Sequence, residues 1–565
     1  RCGGRRRERF RRFGRGFRVF PRRFAFRVEI PFRRADSAFG RLSFSEGKIT
    51  VAQSSSISAN NRRIAKNTLM LYVRMAFTMG LGIFTTRVLL EALGETDYGL
   101  VNVIGGVVTM FAFLSGTMSA ACSRFFNFEL GRRDYARLAQ TFSLTRLIYV
   151  ALTVLLLILA ETVGLWFLEN KVVVPAERAD AAFWFFQFSV GTFLLSTLSV
   201  PYSALIISRE NMKAFAWISV FEAAARLGIV YLISLSGFDK LAFYGALLMF
   251  VGVVHFSLNL LVCRRNYPES RAGFFWDRRR FAELVAFGGW NLWGAMAGLF
   301  TNVFVNVLLN NYFGPAVNAA RAVAQQVSGA ITGFTQNFLT ATRPQVVQYY
   351  AAGDLAQSHL LTMRASRMGF FLLFFFALPA WLLMPFVLGL WLETVPAHTV
   401  AFARLILIQL LVDSFSFPLM TQAQASGKIA LYQSVVGGTL WLTLPFAWIA
   451  LKFFSAPPEA VPCVFVGISC VCLLLRLILV RRCARLSVRA FVKGVLVPAG
   501  LVAVAASVVP AWIAFRAVPV PGWAQFFAVG FASVFCAVPA IAFIGLKRDE
   551  RGVALNFVKR KILRL

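Results

Sequence analysis

Acidic residues and histidine are scarce in this chain. Only 25 Asp and Glu face 59 Lys and Arg across 565 residues, and His255, His359 and His398 are the only histidines. Three widely separated histidines and eight cysteines with no CxxC pair exclude a motif-based zinc site and a disulfide framework. Cys122, Cys263, Cys463, Cys470, Cys472 and Cys536 lie in or beside apolar runs, where cysteine serves as a small packing residue, whereas Cys2 and Cys483 lie in basic segments. No GxxxxGK(S/T) loop occurs: Gly427-Lys428 lacks both the upstream glycine and the Ser/Thr, which excludes a P-loop energy source. HExxH and Ser/His/Asp patterns are missing too. Charged residues make up 15% of the chain, against roughly 25% in soluble domains, so a single soluble domain and a disordered chain are both excluded.

What the chain has is apolar sequence. Hydrophobic residues make up 58% and the mean hydropathy is +0.67. They cluster in runs long enough to cross a bilayer, which takes about 20 residues per helix. The fold class expected is an all-α integral membrane protein with about fourteen transmembrane helices, at 68–91, 99–121, 144–168, 181–207, 216–236, 241–263, 284–310, 321–342, 368–391, 401–425, 430–453, 461–480, 492–515 and 524–546. The eighth is polar for a span. The net charge of +34 would suggest nucleic acid in a soluble protein. Here the basic residues sit in alternate loops, which is a topology signal, and no nucleic-acid partner is expected.

The loops test the count. Arg124, Arg132, Arg133 and Arg137 fill the second loop, Arg209 and Lys213 the fourth, Arg264 to Arg280 the sixth, and Arg481 to Lys493 the twelfth. Glu91, Glu95 and Asp97 dominate the first, and the seventh, 311–320, has no charge. An error of one span would invert the later half of this alternation. It places both termini in the cytoplasm by the positive-inside rule. The external loops are too short for the extramembrane domain that sugar chemistry usually needs.

Residues 1–60 differ from the rest, with 15 Arg, 1 Lys and nine Phe against four acids and without helical or strand periodicity. They read as a basic, disordered extension, or as an arm drawn to anionic membrane lipids. The expected organisation is then 61–263 as a first lobe, 264–283 as a basic linker, 284–480 as a second lobe, 481–546 as two added spans and 547–565 as a basic tail.

Two segments about 217 residues apart are alike. Leu198-Ser199-Val200-Pro201 precedes Ser208 and Lys213, and Phe415-Ser416-Phe417-Pro418 precedes Ser426 and Lys428. Ser123-Arg124 and Thr342-Arg343 form a second pair, each followed by a glycine-containing basic-side loop. Spans 1–6 and 7–12 thus read as two copies of one six-helix unit. Because six is even, the copies are related by an axis along the membrane normal, with a substrate site expected between them.

Polar groups inside spans are costly unless they face a cavity or a partner. At 100° per residue, Arg321, Gln325, Ser328, Thr332, Gln336 and Arg343 share one face of span 8, and Asn291, Asn302, Asn306 and Asn310 share one side of span 7. Such stripes line a water-filled cavity or serve interhelical hydrogen bonds. Arg74 in span 1 has no acid one turn away and either snorkels or lines a cavity. Arg87 stands one turn before Glu91, the spacing of a local ion pair. Glu222 and Arg226 form an i,i+4 pair in span 5. Asp413 in span 10, with Gln409 and Ser416 on its face, suits either a transported ion or an arginine of another helix.

Several short segments carry a family likeness: the basic start Arg62, Arg63, Lys66 and Asn67, the outer turn with Leu93-Gly94 and Asp97-Tyr98-Gly99, and Pro201-Tyr202-Ser203-Ala204-Leu205-Ile206-Ile207. Over about 60–546 the chain resembles the polysaccharide (O-antigen) flippases of the MATE-like exporter superfamily. The resemblance implies two lobes in a V that open alternately to each side of a bacterial inner membrane. The implied cargo is an undecaprenyl-pyrophosphate-linked oligosaccharide, and polysaccharide-assembly proteins are implied partners. Guanidinium groups suit pyrophosphate oxygens, so Arg74, Arg87 and Arg321 are the cavity candidates, with Asn302, Asn306, Gln325 and Gln336 for sugar hydroxyls. Drug-exporting relatives couple ions through membrane carboxylates, for which only Asp413 and Glu222 are available. No cofactor is expected, and coupling to H⁺ or Na⁺ stays open. The alternatives are a cation-coupled drug exporter and a membrane-embedded sugar-transfer enzyme.

Overall fold

The computed structural model describes residues 46–109, 112–172, 174–271, 273–392, 395–517, 522–547 and 550–552. The chain divides into a unit ending at Ser56 and a second beginning at Ile57. In the first, the backbone of 46–56 is helical, and the expectation for 1–45 lies outside the described residues. The second unit is helical throughout, with no strand among its described residues.

Its rods follow the expected spans. Gly94, at φ 77° and ψ 173°, separates α1 (57–93) from α2 (95–109 and Ala112–Gly131). Then come α3 (Tyr135–Asn170), α4 (Ala176–Ser208), α5 (Met212–Leu235), α6 (Lys240–Asn266) and α7 (Arg278–Phe313). They are followed by α8 (Pro315–Ala351), α9 (Leu355–Leu382, continued by Met384–Trp391) and α10 (Thr399–Ala425). The last are α11 (Ile429–Phe453), α12 (Ala460–Ala484), α13 (Val488–Arg516) and α14 (Trp523–Gly545). Eleven described helices are long and apolar enough to cross a membrane. The rods α1, α2 and α8 are not among them. The polar stripe of α8 keeps its hydropathy low, as its sequence led one to expect.

The internal repeat is written in the turns at the basic end. After α2, Asp134 N–H bonds the Glu129 carbonyl at 3.1 Å and Arg133 is left-handed at φ 57°. After α8, Asp354 N–H bonds the Tyr349 carbonyl at 3.0 Å and Gly353 is left-handed at φ 84°. Each aspartate then caps the next helix, Asp134 accepting from Arg137 N–H at 2.9 Å and Asp354 from Gln357 N–H at 3.0 Å. The turns after α4 and α10 match likewise, with Glu210 at φ 55° and Gly427 at φ 74° in the left-handed position. A non-glycine residue there is strained. Arg133 and Glu210 bear that strain in the first copy where glycine relieves it in the second.

Separate apolar cores hold the two halves together. Phe126, Phe142, Tyr202 and Phe185 anchor α1–α6, while Phe402, Leu407, Phe415 and Leu419 anchor α7–α12. The pair α13 and α14 docks on α9, where Gly545 lies so close to the Phe371 ring that a Cβ would stand 2.6 Å from it. Glu550 then ties the tail to Arg364 at 2.9 Å and to Arg367. At the basic end, Arg209 ion-pairs with buried Glu269 and lies over the Tyr267 ring. Burial pushes the Tyr267 phenol up from its ordinary range, so that ring stays neutral beneath the guanidinium.

At the opposite, far end of α1–α6, Arg178 clamps two helix starts. Its Nε donates to Asp97 Oδ1 at 2.9 Å, its Nη1 to Asp239 Oδ2 at 2.6 Å, and its Nη2 to Asp97 Oδ2. Asp97 is only 7% exposed, so the Asp-Tyr-Gly turn is a structural clamp. Asp97→Ala leaves Arg178 short of its buried partner and is expected to cost about 1.5–3 kcal/mol. A thermal-shift measurement on purified protein checks this as a lowered Tm, and an unchanged Tm contradicts it.

Candidate substrate cavity between the lobes

The outward faces of most rods are large and apolar, as at Trp217, Phe221 and Tyr231 on α5 and Phe527, Phe531 and Phe535 on α14. Two rods differ. The exposed positions of α8 include Ala322, Gln325, Gln326, Gly329 and Ala330, and those of α2 include Thr96, Gly99, Asn102 and Gly106. A Cβ placed at Gly99, Gly106, Gly116 or Gly329 would meet nothing within 4 Å. Small and polar exposed faces on repeat-equivalent helices suit the walls of a wet space, because hydrocarbon would select large apolar side chains there, although Val103 on α2 is also exposed.

That space is closed at the basic end. The backbones of α2 and α8 meet at Gly131, where an added Cβ would lie 2.3 Å from the Gln348 carbonyl oxygen. Gln348 Nε2 donates to Asn127 Oδ1 at 3.2 Å and to the Ser208 carbonyl at 3.0 Å. Gln345 Nε2 donates to Glu210 at 3.1 Å, and Arg63 pairs with the same carboxylate at 3.0 Å. Arg124 is 8% exposed, lies over the rings of Phe125, Phe128 and Phe287, and donates from Nε to the Gln424 carbonyl at 3.2 Å. The lobe-to-lobe hydrogen bonds described all fall in the basic half, so the lobes meet there and part toward the far end.

The floor carries an arginine. Arg74 on α1 donates from Nη2 to Asn337 Oδ1 on α8 at 2.9 Å and lies over the Phe215 ring at 4.9 Å. Its Nε has no hydrogen-bond partner. Beside it Tyr72 donates its hydroxyl to the Phe334 carbonyl at 3.1 Å. Among the described residues no carboxylate pairs with Arg74.

A family profile described as polysaccharide biosynthesis protein matches residues 64–349, just over half of the chain. The chain belongs to that family. No curated protein matches the sequence significantly. Solved structures share the fold of this chain. A MOP superfamily transporter from Pyrococcus furiosus, described as having a binding pocket of reverse polarity, aligns at TM-score 0.64 and 13% identity over 76% of this chain and 96% of its own. An outward-facing MATE multidrug resistance transporter aligns at TM-score 0.63 and 13% identity, over 75% and 96%. The eukaryotic MATE transporter AtDTX14 aligns at TM-score 0.61 and 14% identity, over 76% and 98%. The protein is a multi-pass membrane protein with a MATE-like exporter fold, in a family of polysaccharide biosynthesis.

The structure splits the sequence-derived site into two. Arg321, Asn302, Asn306 and Gln325 come together. Arg321 donates to Asn302 Oδ1 at 2.7 Å, to the Asn302 carbonyl at 3.5 Å and to Asn306 Oδ1, and Gln325 donates to Asn302 Oδ1 at 3.3 Å. Arg74 lies elsewhere: at about 1.5 Å per residue, Asn337 is roughly 24 Å along α8 from Arg321. Gln336 neighbours Asn337 and is half-buried. Arg87 lies on α1, but its side chain is outside the described residues.

The two acids have basic neighbours. Glu222 pairs with Arg226 at 2.8 Å and with His255 Nδ1 at 3.0 Å. Asp413 accepts from Gln409 at 3.3 Å and faces Ser469 and Arg476 of α12. Of the residues that sequence reasoning missed, Arg476 was visible as a lone basic residue within an apolar run. Asn337 and the Gly131–Gln348 contact were not, because each gains its meaning from a helix more than 200 residues away.

Proposed function

We propose that this protein carries an undecaprenyl-pyrophosphate-linked oligosaccharide from the cytoplasmic to the periplasmic face of a bacterial inner membrane. The observation that carries the reading is Arg74: a guanidinium between α1 and α8, held by a neutral amide and by no described carboxylate. A half-buried cation without a counter-charge is costly, and an oxyanion supplies the missing charge. With the basic end cytoplasmic, pyrophosphate enters at Arg74, the sugars lie against α2 and α8, and the lipid tail stays in the bilayer.

Transport runs by alternating access. The far-open form parts at the basic end by breaking the Gln348–Asn127, Gln345–Glu210 and Arg124–Gln424 bonds. Polysaccharide-assembly proteins receive the product. No step here makes or breaks a covalent bond, so the reading is a transporter and not an enzyme. A drug exporter would need a free membrane carboxylate, and Glu222 and Asp413 both face basic groups.

A deletion strain tests the reading. Loss of surface polysaccharide with unchanged drug sensitivity supports it. Intact polysaccharide with raised drug sensitivity transfers the protein to drug export, and altered glycan linkage points to an enzyme.

A further inference from the structure

Arg321 sits in the far half of the second lobe, in a pocket of about 170 Å³ walled by α7, α8, α10 and α12. It is 5% exposed. It donates to the side-chain oxygens of Asn302 and Asn306 and to the Asn302 carbonyl and lies over the Phe465 ring at 5.7 Å, all of them neutral. Among the described residues no acid pairs with it. Arginine has five N–H groups in a planar fork, and these three bonds leave donors over. The same pocket presents Gln325, Ser328 and Gln409 as hydrogen-bonding groups and Phe402 and Phe465 as an apolar wall. The exposed side chain of Gln325 belongs to the wet wall of α8, so the pocket adjoins the interlobe space.

Each part has a chemical counterpart. A planar guanidinium matches a carboxylate bidentately, amides and a hydroxyl match ring hydroxyls, and aromatic rings match the C–H face of a pyranose. The volume is below the roughly 300–1,000 Å³ of drug-sized sites and suits about one sugar ring. The pyrophosphate cannot be the ligand while it is held at Arg74, because the two guanidinium sites lie roughly 24 Å apart along α8. A sugar several residues out along the glycan reaches this depth.

We propose that the Arg321 pocket binds a carboxylate-bearing sugar of the carried glycan, a hexuronate-like ring, and so selects acidic glycans for export. The inference rests on the flippase reading. Asn302 and Asn306 orient the guanidinium without neutralising it, which leaves its charge for the cargo. Gln325 and Gln409 then read the hydroxyl pattern, while the carboxylate supplies most of the discrimination.

Full-length protein in lipid nanodiscs is titrated with sodium glucuronate, with glucose, acetate and phosphate as controls, and melting is followed. Glucuronate is expected to raise Tm saturably, and glucose, acetate and phosphate at the same concentration are not. Arg321→Gln is expected to weaken the glucuronate response at least about 10-fold, and Arg321→Lys to fall between it and wild type. Equal shifts with acetate or phosphate assign the pocket to a free anion and overturn the proposal, as does a wild-type response in Arg321→Gln. Should Arg321→Gln fail to fold, Ser328→Leu fills the pocket without touching Arg321, and a full glucuronate response in that variant also overturns the proposal. In cells supplied with an acidic or a neutral lipid-linked glycan, wild type is expected to export the acidic one faster and Arg321→Gln to lose that preference. Equal loss of both overturns the pocket assignment alone. Export of neither by wild type overturns the flippase reading itself.

Discussion

Gly131→Leu is expected to cut export strongly while the protein still reaches the membrane. A Cβ at Gly131 would stand 2.3 Å from the Gln348 carbonyl oxygen and 2.7 Å from its Cα. Both atoms are backbone and cannot swing aside, so α2 and α8 must separate. Overpacking of this kind costs about 1–3 kcal/mol, and the cost falls on the basic-closed state alone. A bias of that size shifts a two-state balance by about 5- to 150-fold. The lobes of the variant should favour the form parted at the basic end, and release of the cargo on the far side should slow by a comparable factor. Surface polysaccharide by quantitative immunoblot, with membrane protein level as control, reads the effect. Gly116→Ala is the matched control, since nothing lies within 4 Å of a Cβ there. Wild-type export by Gly131→Leu would show that the observed closure is not part of the cycle.

Arg74→Gln is expected to reduce export about 10- to 100-fold at normal protein level. The guanidinium bridges the lobes, and no described carboxylate pairs with it. Hydrogen bonds to a charged group contribute about 1.5–3 kcal/mol, which is that range of rates if they form to the pyrophosphate. Arg74→Lys keeps the charge but loses the fork, and an intermediate rate is expected. Asn337→Ala removes the 2.9 Å bond that orients the guanidinium and should cost less than Arg74→Gln. Equal losses in all three variants would point to packing of α1 on α8 and away from anion recognition. Initial export rates in a complemented deletion strain separate these outcomes.

Much of the fold was legible because the bilayer imposes one length and one polarity on every helix. Apolar run length located the rods, and basic loops fixed their parity. The repeat was legible at Pro201 and Pro418, and the matched turns at Glu210 and Gly427 give its backbone reason. The α8 stripe was legible as periodicity, and it did bring Arg321, Gln325 and the two asparagines together. Periodicity along one helix says which residues share a face, but not which neighbour that face meets at each depth. Hence Arg74 and Arg321, taken as one cation set, separate into two sites, and Asn337 escaped notice although it adjoins Gln336. The gate at Gly131 was invisible for the same reason: a glycine at a helix end gives no sign of the backbone it will touch.

The most direct test follows the cargo itself. Cells lacking the protein, converted to spheroplasts, are treated with a membrane-impermeant reagent that modifies exposed sugars, and lipid-linked oligosaccharide is then extracted. Without the protein the oligosaccharide should stay protected. With wild type it should become reactive, and with Arg74→Gln or Gly131→Leu it should remain protected. Equal reactivity with and without the protein would contradict the assignment of lipid-linked oligosaccharide translocation to this chain.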